Sequence, residues 1–202
     1  MLAAMGHVLG LLGGVASGKS TVATLLARRG YLHLDADALA RQAVERPEIR
    51  SALAARFGSD LHDGEGGLDR ALLADRAFRD PAATADLNAI VHPWVRDRLV
   101  EGLDGAGPRP VVLDVPLLME SPLAERVDTW VLVEAPEAAR DARAASRGWS
   151  PGERARREAR QADLVAKRRR ADRVLENSGT IEDLERRLEV LLVESGLPTT
   201  SP

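Results

Sequence analysis

The stretch GLLGGVASGKST, from Gly10 to Thr21, sets four glycines, two serines and one lysine between two apolar runs. Before it, His7–Leu12 has the length and apolarity of a buried strand. After it, Thr21–Arg29 puts Val22, Leu25 and Leu26 on one face of a helix. A glycine-rich turn between two such elements points several backbone N–H groups at one place, and at the positive end of a helix that place attracts phosphate. Gly13-Gly14-Val15-Ala16-Ser17-Gly18-Lys19-Ser20 fits G-x-x-x-x-G-K-[ST] at every position. In that pattern the glycines permit close backbone approach, and Lys19 brings positive charge to the β- and γ-phosphates. Ser20 offers its hydroxyl to the magnesium ion that bridges them. A structural glycine turn is the competing reading, and the setting between buried strand and helix counts against it. Residues Gly13 to Thr21 are therefore read as a nucleoside-triphosphate site.

Four further apolar segments read as strands: Tyr31–Leu34, Val111–Val115, Thr129–Val133 and Val174–Leu175 with its neighbours. Helical segments separate them, which calls for crossover connections and a parallel sheet. VVLDV is almost continuously apolar, as in a strand covered on both faces. The expected fold is α/β, a three-layer α/β/α arrangement of the P-loop NTPase type with a five-stranded parallel sheet. About 75 residues lie between Leu34 and Val111, rich in Ala, Leu, Arg and Asp at helical spacing, and read as an inserted helical subdomain. A second insert, Glu137 to Arg170, reads as helix, a Gly-Trp-Ser-Pro-Gly break at 148–152, and a very basic helix. The expected divisions are a core of about 1–38, 108–140 and 171–202, one insert of about 39–107 and another of about 141–170. Near the end, Ile181, Leu184, Leu188, Leu191 and Leu192 form a helical stripe to pack on the sheet, and GLPTTSP reads as a frayed tail.

A chain of 202 residues suits one core with inserted subdomains, large enough to need no metal or disulfide staple. The absence of cysteine excludes thiolate catalysis, zinc–thiolate sites and disulfides, and it suits a reducing compartment. No apolar run reaches the ~20 residues of a membrane helix. MLAAMGHVLGLL lacks the basic start and cleavage region of a signal peptide, and Met5 reads as an alternative start. A cytoplasmic protein is expected. The net charge of −3 conceals an asymmetry: residues 140–173 hold twelve Lys/Arg against five Asp/Glu, a balance of +7, leaving −10 elsewhere. Such a segment suits a polyanion, either nucleic acid or nucleotide phosphates, or is simply a solvated basic helix.

A triphosphate loop serves kinases, switch GTPases, motor ATPases and helicases alike. No N-K-x-D guanine-reading motif is present, and Asp63-Gly64-Glu65-Gly66 fits D-x-x-G but follows no apolar strand, so it reads as a surface loop. A small-molecule kinase needs only the loop, an acceptor site, a base and a closing lid. LHLDADALA places Asp35 and Asp37 where the second strand ends, at the edge that borders the binding crevice of a parallel sheet. Asp35 is read as a helix cap or orienting group and Asp37 as the chemical one. Asp114 stands near the end of the third strand, before a Pro116 that ends the ladder. On the residues alone, Asp37 and Asp114 compete evenly for base and metal roles.

Along the chain, GGVASGKST is followed by Asp35-Ala36-Asp37, Phe57-Gly58, Leu68-Asp69-Arg70 and Leu87-Asn88 with His92-Pro93. Then come Asp114-Val115-Pro116-Leu117-Leu118 with Glu120, Arg157 four before Gln161, and Ala171-Asp172 with Asn177 and Gly179. In that order, and over nearly the whole chain, the series resembles the dephospho-coenzyme A kinase family, P-loop enzymes of the nucleoside-monophosphate-kinase type. The resemblance implies transfer of the ATP γ-phosphoryl group to the ribose 3′-hydroxyl of dephospho-CoA, giving coenzyme A and ADP, with Mg2+. By position Asp37 matches the family's catalytic base, with Lys19, Arg143 and Arg147 as the other catalytic groups. The 39–107 insert corresponds to the acceptor-binding domain, with His92 and Pro93 inside it. Asp114, Leu117, Arg157 and Gln161 complete the expected acceptor contacts. The segment Arg147–Lys167 corresponds to the lid, and the Asn177 loop to the adenine end of ATP. Ser20 would meet the metal through ATP, with Asp114 as a second candidate. Arginine on a transferring phosphoryl group supplies ~10³-fold or more.

The chain also departs from the family. Leu12 and Ala16 stand where threonine and glycine are usual, and the Ala16 methyl group requires a compatible backbone angle. After the fourth strand the family's glutamine is missing and the spacing is one residue longer, so Arg140, Arg143 and Arg147 compete for register; Arg143 and Arg147 are the expected phosphate contacts. His92 reads equally as a hydrogen-bonded turn residue or a substrate contact. Trp94, Trp130 and Trp149 read as packing residues, Trp149 at the lid hinge being a partial exception. No histidine spacing suits a transition metal. The expected partner is dephospho-CoA, without nucleic acid or membrane, in a monomer or weak homo-oligomer. A kinase for another nucleoside or nucleotide is the near alternative. A nucleic-acid-binding ATPase, with Lys167 and Arg168–Arg170 on a phosphate backbone and steep salt dependence, is the distant one.

Overall fold

The computed structural model describes residues 6–61, 67–159 and 163–199. The Met5 start and the Asp63–Gly66 loop reading fall outside these residues. The elements run β1 (Val8–Gly13), α1 (Lys19–Arg28), β2 (Leu32–Asp35), α2 (Ala36–Ala43), α3 (Pro47–Phe57), α4 (Arg70–Ala77) and α5 (Pro81–Gly105). They continue as β3 (Val111–Asp114), two 3-10 turns (Leu118–Glu120 and Pro122–Arg126), β4 (Thr129–Glu134), α6 (Glu137–Ser146), α7 (Glu153–Glu158), α8 (Leu164–Arg170), β5 (Arg173–Glu176) and α9 (Ile181–Glu194).

Two compact units make up the chain, one of residues 1–34 and 103–202 and one of 35–102. The first carries the sheet, of strand order β2-β3-β1-β4-β5. β1 runs parallel to β3, with Leu9 opposite Val112, and to β4, with Leu11 opposite Val131; β4 runs parallel to β5. Central β1 is buried at all six positions, and β3 at all four, as both faces are covered. On one face Leu9, Leu11, Val131 and Val133 pack with Val22, Leu25 and Leu26 of α1 and Leu184, Leu188 and Leu192 of α9. On the other face, Gly10 lies close under Leu118 and Val127, and Arg170 of α8 stacks over the Trp130 ring, 4.5 Å from its centroid. The order brings the C-terminal ends of β1, β3 and β4 to one edge, where ligands of open α/β sheets bind.

The second unit is helical. Asp35 caps α2, accepting from the Ala38 N–H at 2.9 Å, and Asp69 caps α4 through the Leu72 N–H at 2.9 Å. Between α3 and α4, Arg76 grips Asp60 with two bonds of 2.6 and 2.7 Å and donates to the Phe57 carbonyl at 2.7 Å. That guanidinium holds the Asp60 carboxyl at about 2, well below the usual carboxylate range. Val91, Val95 and Leu99 form the buried stripe of α5. Pro93 lies inside this 25-residue helix, so of the two readings of His92 the turn residue is set aside: both residues are helical and exposed. Their neighbours Val91 and Val95 are buried one turn apart, and that packing outweighs the backbone hydrogen bond lost at Pro93.

The tail expected to fray is tied down over its first residues. The Leu197 side chain joins the core and its N–H donates to Leu192 O at 2.9 Å, while the Tyr31 hydroxyl donates to Pro198 O at 3.0 Å. Tyr31 is fully buried, which pushes its phenol from 10.0 up to about 12. The folded state therefore keeps this proton above pH 10, where the unfolded chain loses it. Its contribution to stability is complete below pH 10 and disappears as pH rises through 12. Tyr31→Phe should lower stability at pH 7 by about 1 kcal/mol through the lost bond to Pro198. In paired urea titrations at pH 7 and pH 11, the variant should lose less stability between the two than the parent chain.

Candidate active site

Between β1 and α1 the backbone turns through two left-handed residues, Ala16 at φ 63° and Gly18 at φ 102°. Ala16 is the non-glycine residue with positive φ among those described, so its methyl group does sit on a strained backbone. Gly18 has a second reason to be glycine: a Cβ there would lie 2.2 Å from Asn177 Nδ2. Ser17 N donates to Gly14 O at 3.2 Å, closing the loop on itself.

Several side chains hold the loop carbonyls from outside. Lys19 Nζ donates to Gly13 O and Gly14 O, both at 3.2 Å. Lys167 Nζ reaches the same Gly13 O at 3.1 Å from α8. Arg143 donates through one nitrogen to Ser17 O at 3.0 Å and through the other to Asn177 O and Oδ1 at 3.0 and 3.1 Å. Asn177, buried after β5, returns its Nδ2 to Ser17 O at 2.8 Å. Loop, α6 and the β5–α9 connection are thus one hydrogen-bonded assembly. Burial pulls the Lys167 ammonium down from its usual range, opposed by the charge of Glu158 and other carboxylates.

α6 and α7 contribute a second layer of charge. Arg154 bonds Asp141 at 2.5 Å, Glu158 at 2.7 Å and Glu137 at 2.8 Å, and these carboxylates raise its pKa further. Arg140 pairs with Glu158 at 2.5 Å. A cavity of about 380 Å³ opens beside the loop, lined in part by Gly14, Ser17, Pro136, Arg140, Glu176 and Ser178. Its volume is within the range of small-molecule sites.

Of the expected residues, the loop, Arg143 and Asn177 are brought together. Ser20 and Thr21 are exposed at the start of α1. Asp114 is buried at the end of β3, its Oδ2 4.0 Å from His33 Nε2, and Leu117 lies beyond it, 46% exposed. Arg147 points elsewhere: it is exposed at the end of α6, 5.9 Å from the Trp149 ring. Arg157 stacks on the same ring at 4.2 Å and pairs with Glu153 at 2.7 Å. Asp37 lies in the first turn of α2, and His92 and Pro93 in α5, all in the helical unit. Gln161 lies outside the described residues. Arg140, Arg154, Glu158 and Lys167 were not among the expected site residues. The i,i+4 spacing of Arg154 and Glu158 was a legible cue for their pairing, whereas nothing local marks Lys167 as the buried member of a KRRR run.

The loop chemistry suits a nucleotide and its metal. Ser17 Oγ is buried with no hydrogen-bond partner among the described residues, Lys19 curls onto carbonyls that a phosphate can replace, and the Ser20 hydroxyl and Asp114 carboxylate are hard oxygen donors of the kind Mg2+ takes. Among the described residues no cluster of three or more His, Cys, Asp or Glu could hold a metal by itself, and no helix is long and apolar enough to cross a membrane.

A family model described as dephospho-CoA kinase matches residues 7–183 of the chain. The dephospho-CoA kinase of Deinococcus radiodurans is 47% identical over 189 residues, 91% of this chain and 90% of that protein. The crystal structure of a Thermus thermophilus protein superposes with a TM-score of 0.78 at 42% identity, covering 95% of this chain and 98% of that one. A dephospho-CoA kinase from Campylobacter jejuni superposes at 0.68 with 20% identity over 95% and 98% of the two chains, a likeness that bears on the fold alone.

The left-handed Ala16 gives a stability test of the loop. Ala16→Gly removes the clash of Cβ with its own backbone but adds freedom to the unfolded chain, so it should stabilise the protein by about 0.5–1 kcal/mol. Chemical denaturation measures the change, and a loss of stability would show that the left-handed geometry carries no strain.

Proposed function

This chain belongs to the dephospho-CoA kinase family, and from that premise we infer that it transfers the γ-phosphoryl group of ATP to the 3′-hydroxyl of dephospho-CoA, giving coenzyme A and ADP. The observation that carries the reading on this chain's own residues is the phosphate loop. Arg143, Asn177 and Lys167 brace its carbonyls, and Lys19 at the start of α1 lies on the Gly13 and Gly14 carbonyls, within reach of a phosphate that would replace them.

In the proposed reaction the loop N–H groups and Lys19 hold the β- and γ-phosphates. Arg143 braces the loop against Asn177, at the adenine end of ATP. Asp37 accepts the 3′-hydroxyl proton as the 3′ oxygen bonds to the γ-phosphorus; the bond to the bridging β–γ oxygen breaks and ADP leaves with it. Ser20 and, as a further ligand, Asp114 would hold Mg2+, which would supply charge neutralisation on the phosphate oxygens. Arg147, exposed here near Trp149, is assigned with Arg143 to the phosphates once the lid moves, and Arg157, stacked on the same ring, is assigned with Asp114 to the acceptor. His92, Pro93, Leu117 and Gln161 are assigned to the acceptor, and the 39–107 and 141–170 segments to acceptor binding and lid. Movement of the lid over the phosphates excludes water and limits wasteful hydrolysis of ATP.

The basic run gives no support to a nucleic-acid role. Lys167 is buried on Gly13 O, Arg168 pairs with Glu134 at 2.6 Å, and Arg170 lies on Trp130, so three of its four cations are already engaged within the protein. We assign the chain no nucleic-acid or membrane partner, a monomeric or weakly associating state, and a cytoplasmic setting.

The decisive experiment is a coupled assay of ADP release from MgATP with dephospho-CoA and a panel of nucleosides and nucleotides. Preferential, saturable turnover with dephospho-CoA is expected; turnover with a different acceptor alone would overturn the assignment. Asp37→Asn should lower kcat by about 10²–10⁴-fold while leaving MgATP affinity within a few-fold. An equal loss of both, measured by calorimetric titration beside the assay, would make Asp37 a nucleotide or metal ligand instead.

A further inference from the structure

Glu158, the last residue of α7, sets Oε1 on the backbone N–H of Val15 in the phosphate loop, at 3.3 Å. The same oxygen accepts from Arg140 Nη1 at 2.5 Å, and Oε2 accepts from Arg154 Nη1 at 2.7 Å. Both arginines are buried, at 8% and 6% exposure. The ion pair sits directly against the loop backbone: a Cβ added to Gly14 would lie 2.5 Å from both the Arg140 guanidinium and the Glu158 carboxylate. An anion bound by a loop amide and two guanidinium groups has the surroundings a phosphate oxygen takes. A loop amide cannot serve both at once, and two anions in so enclosed a place repel.

We propose that Glu158 is an intramolecular latch whose carboxylate occupies an anion position of the loop in the free protein and gives way when the triphosphate enters. This rests on the reading of the loop as the ATP site. The two arginines fare differently once the latch opens. Arg154 keeps Asp141 and Glu137 when Glu158 leaves, so α6 and α7 stay joined. Arg140 has Glu158 as its carboxylate partner among the described residues and is freed beside the phosphates. The latch thus keeps a buried arginine paired until a phosphate arrives to replace the carboxylate, and it reduces apparent ATP affinity by the fraction of molecules in which it is closed.

The test is calorimetric titration of MgATP into the full-length chain and its Glu158→Gln and Glu158→Ala variants, with thermal melting with and without MgATP. If the latch is closed in about nine-tenths of the free protein, both variants bind MgATP about tenfold more tightly. Their ligand-free melting temperature falls, because Arg140 loses its partner, while the rise on adding MgATP grows. Unchanged or weaker binding in the variants overturns the latch and leaves Glu158 as a brace for Arg140. Glu158→Gln is nearly isosteric and decides the matter alone if the alanine variant does not fold. A parent chain that binds no MgATP overturns the reading of the loop, and the latch with it.

Discussion

The nucleotide end of this protein depends on a short backbone turn whose amides and carbonyls must each find a partner. Between Gly13 and Lys19 the chain leaves a fully buried strand and enters a helix, and every polar backbone group on the way needs a partner. The carbonyls of Gly13, Ala16 and Ser17 receive theirs from Lys167, Arg143 and Asn177, which come from three elements distant in the chain. With these carbonyls engaged, the Val15 N–H faces an anion, the Glu158 carboxylate at 3.3 Å. The left-handed Ala16 is the strained point of this turn, and it persists because the surrounding bonds over-determine it.

The same requirement explains the distribution of charge. The +7 segment is not a uniform basic surface but a set of cations, many with assigned carboxylates: Arg154 with three, Arg157 with Glu153, Arg168 with Glu134. Arg140 and Lys167 are drawn inside, where an unpaired charge is costly. A nucleotide site that must receive several negative charges has to keep its cations satisfied without them. Internal carboxylates such as Glu158 meet that need and can be exchanged for phosphate.

The helical unit obeys more local rules. Asp35 and Asp69 cap α2 and α4, the Arg76–Asp60 pair fixes the turn after Phe57, and an exposed Pro93 is carried within a long helix because its neighbours are buried. Asp37 stands two residues after the cap Asp35, so the first turn beyond β2 is also what positions the proposed base.

The sequence by itself determined the parallel α/β core. All five strands lie within a residue or two of where apolar runs placed them, since central strands covered on both faces, such as β1 and β3, must be apolar at nearly every position; α9 buries Leu184, Leu188, Leu191 and Leu192 of its stripe, with Ile181 left exposed in its first turn. The phosphate loop was equally legible, because its backbone demands particular residues at particular spacings. Only the tertiary structure decided which cations reach that loop. Arg140, Arg143 and Arg147 are spaced three and four apart, yet the first two face the loop and the third faces Trp149. Lys167 is buried in a run that reads as a solvated charged face, and the end of the chain packs where a polar tail reads as loose. Patterns of apolar residues report a periodicity that the backbone itself imposes. The choice among like charges depends on distances across elements far apart in the chain, and no local pattern records those.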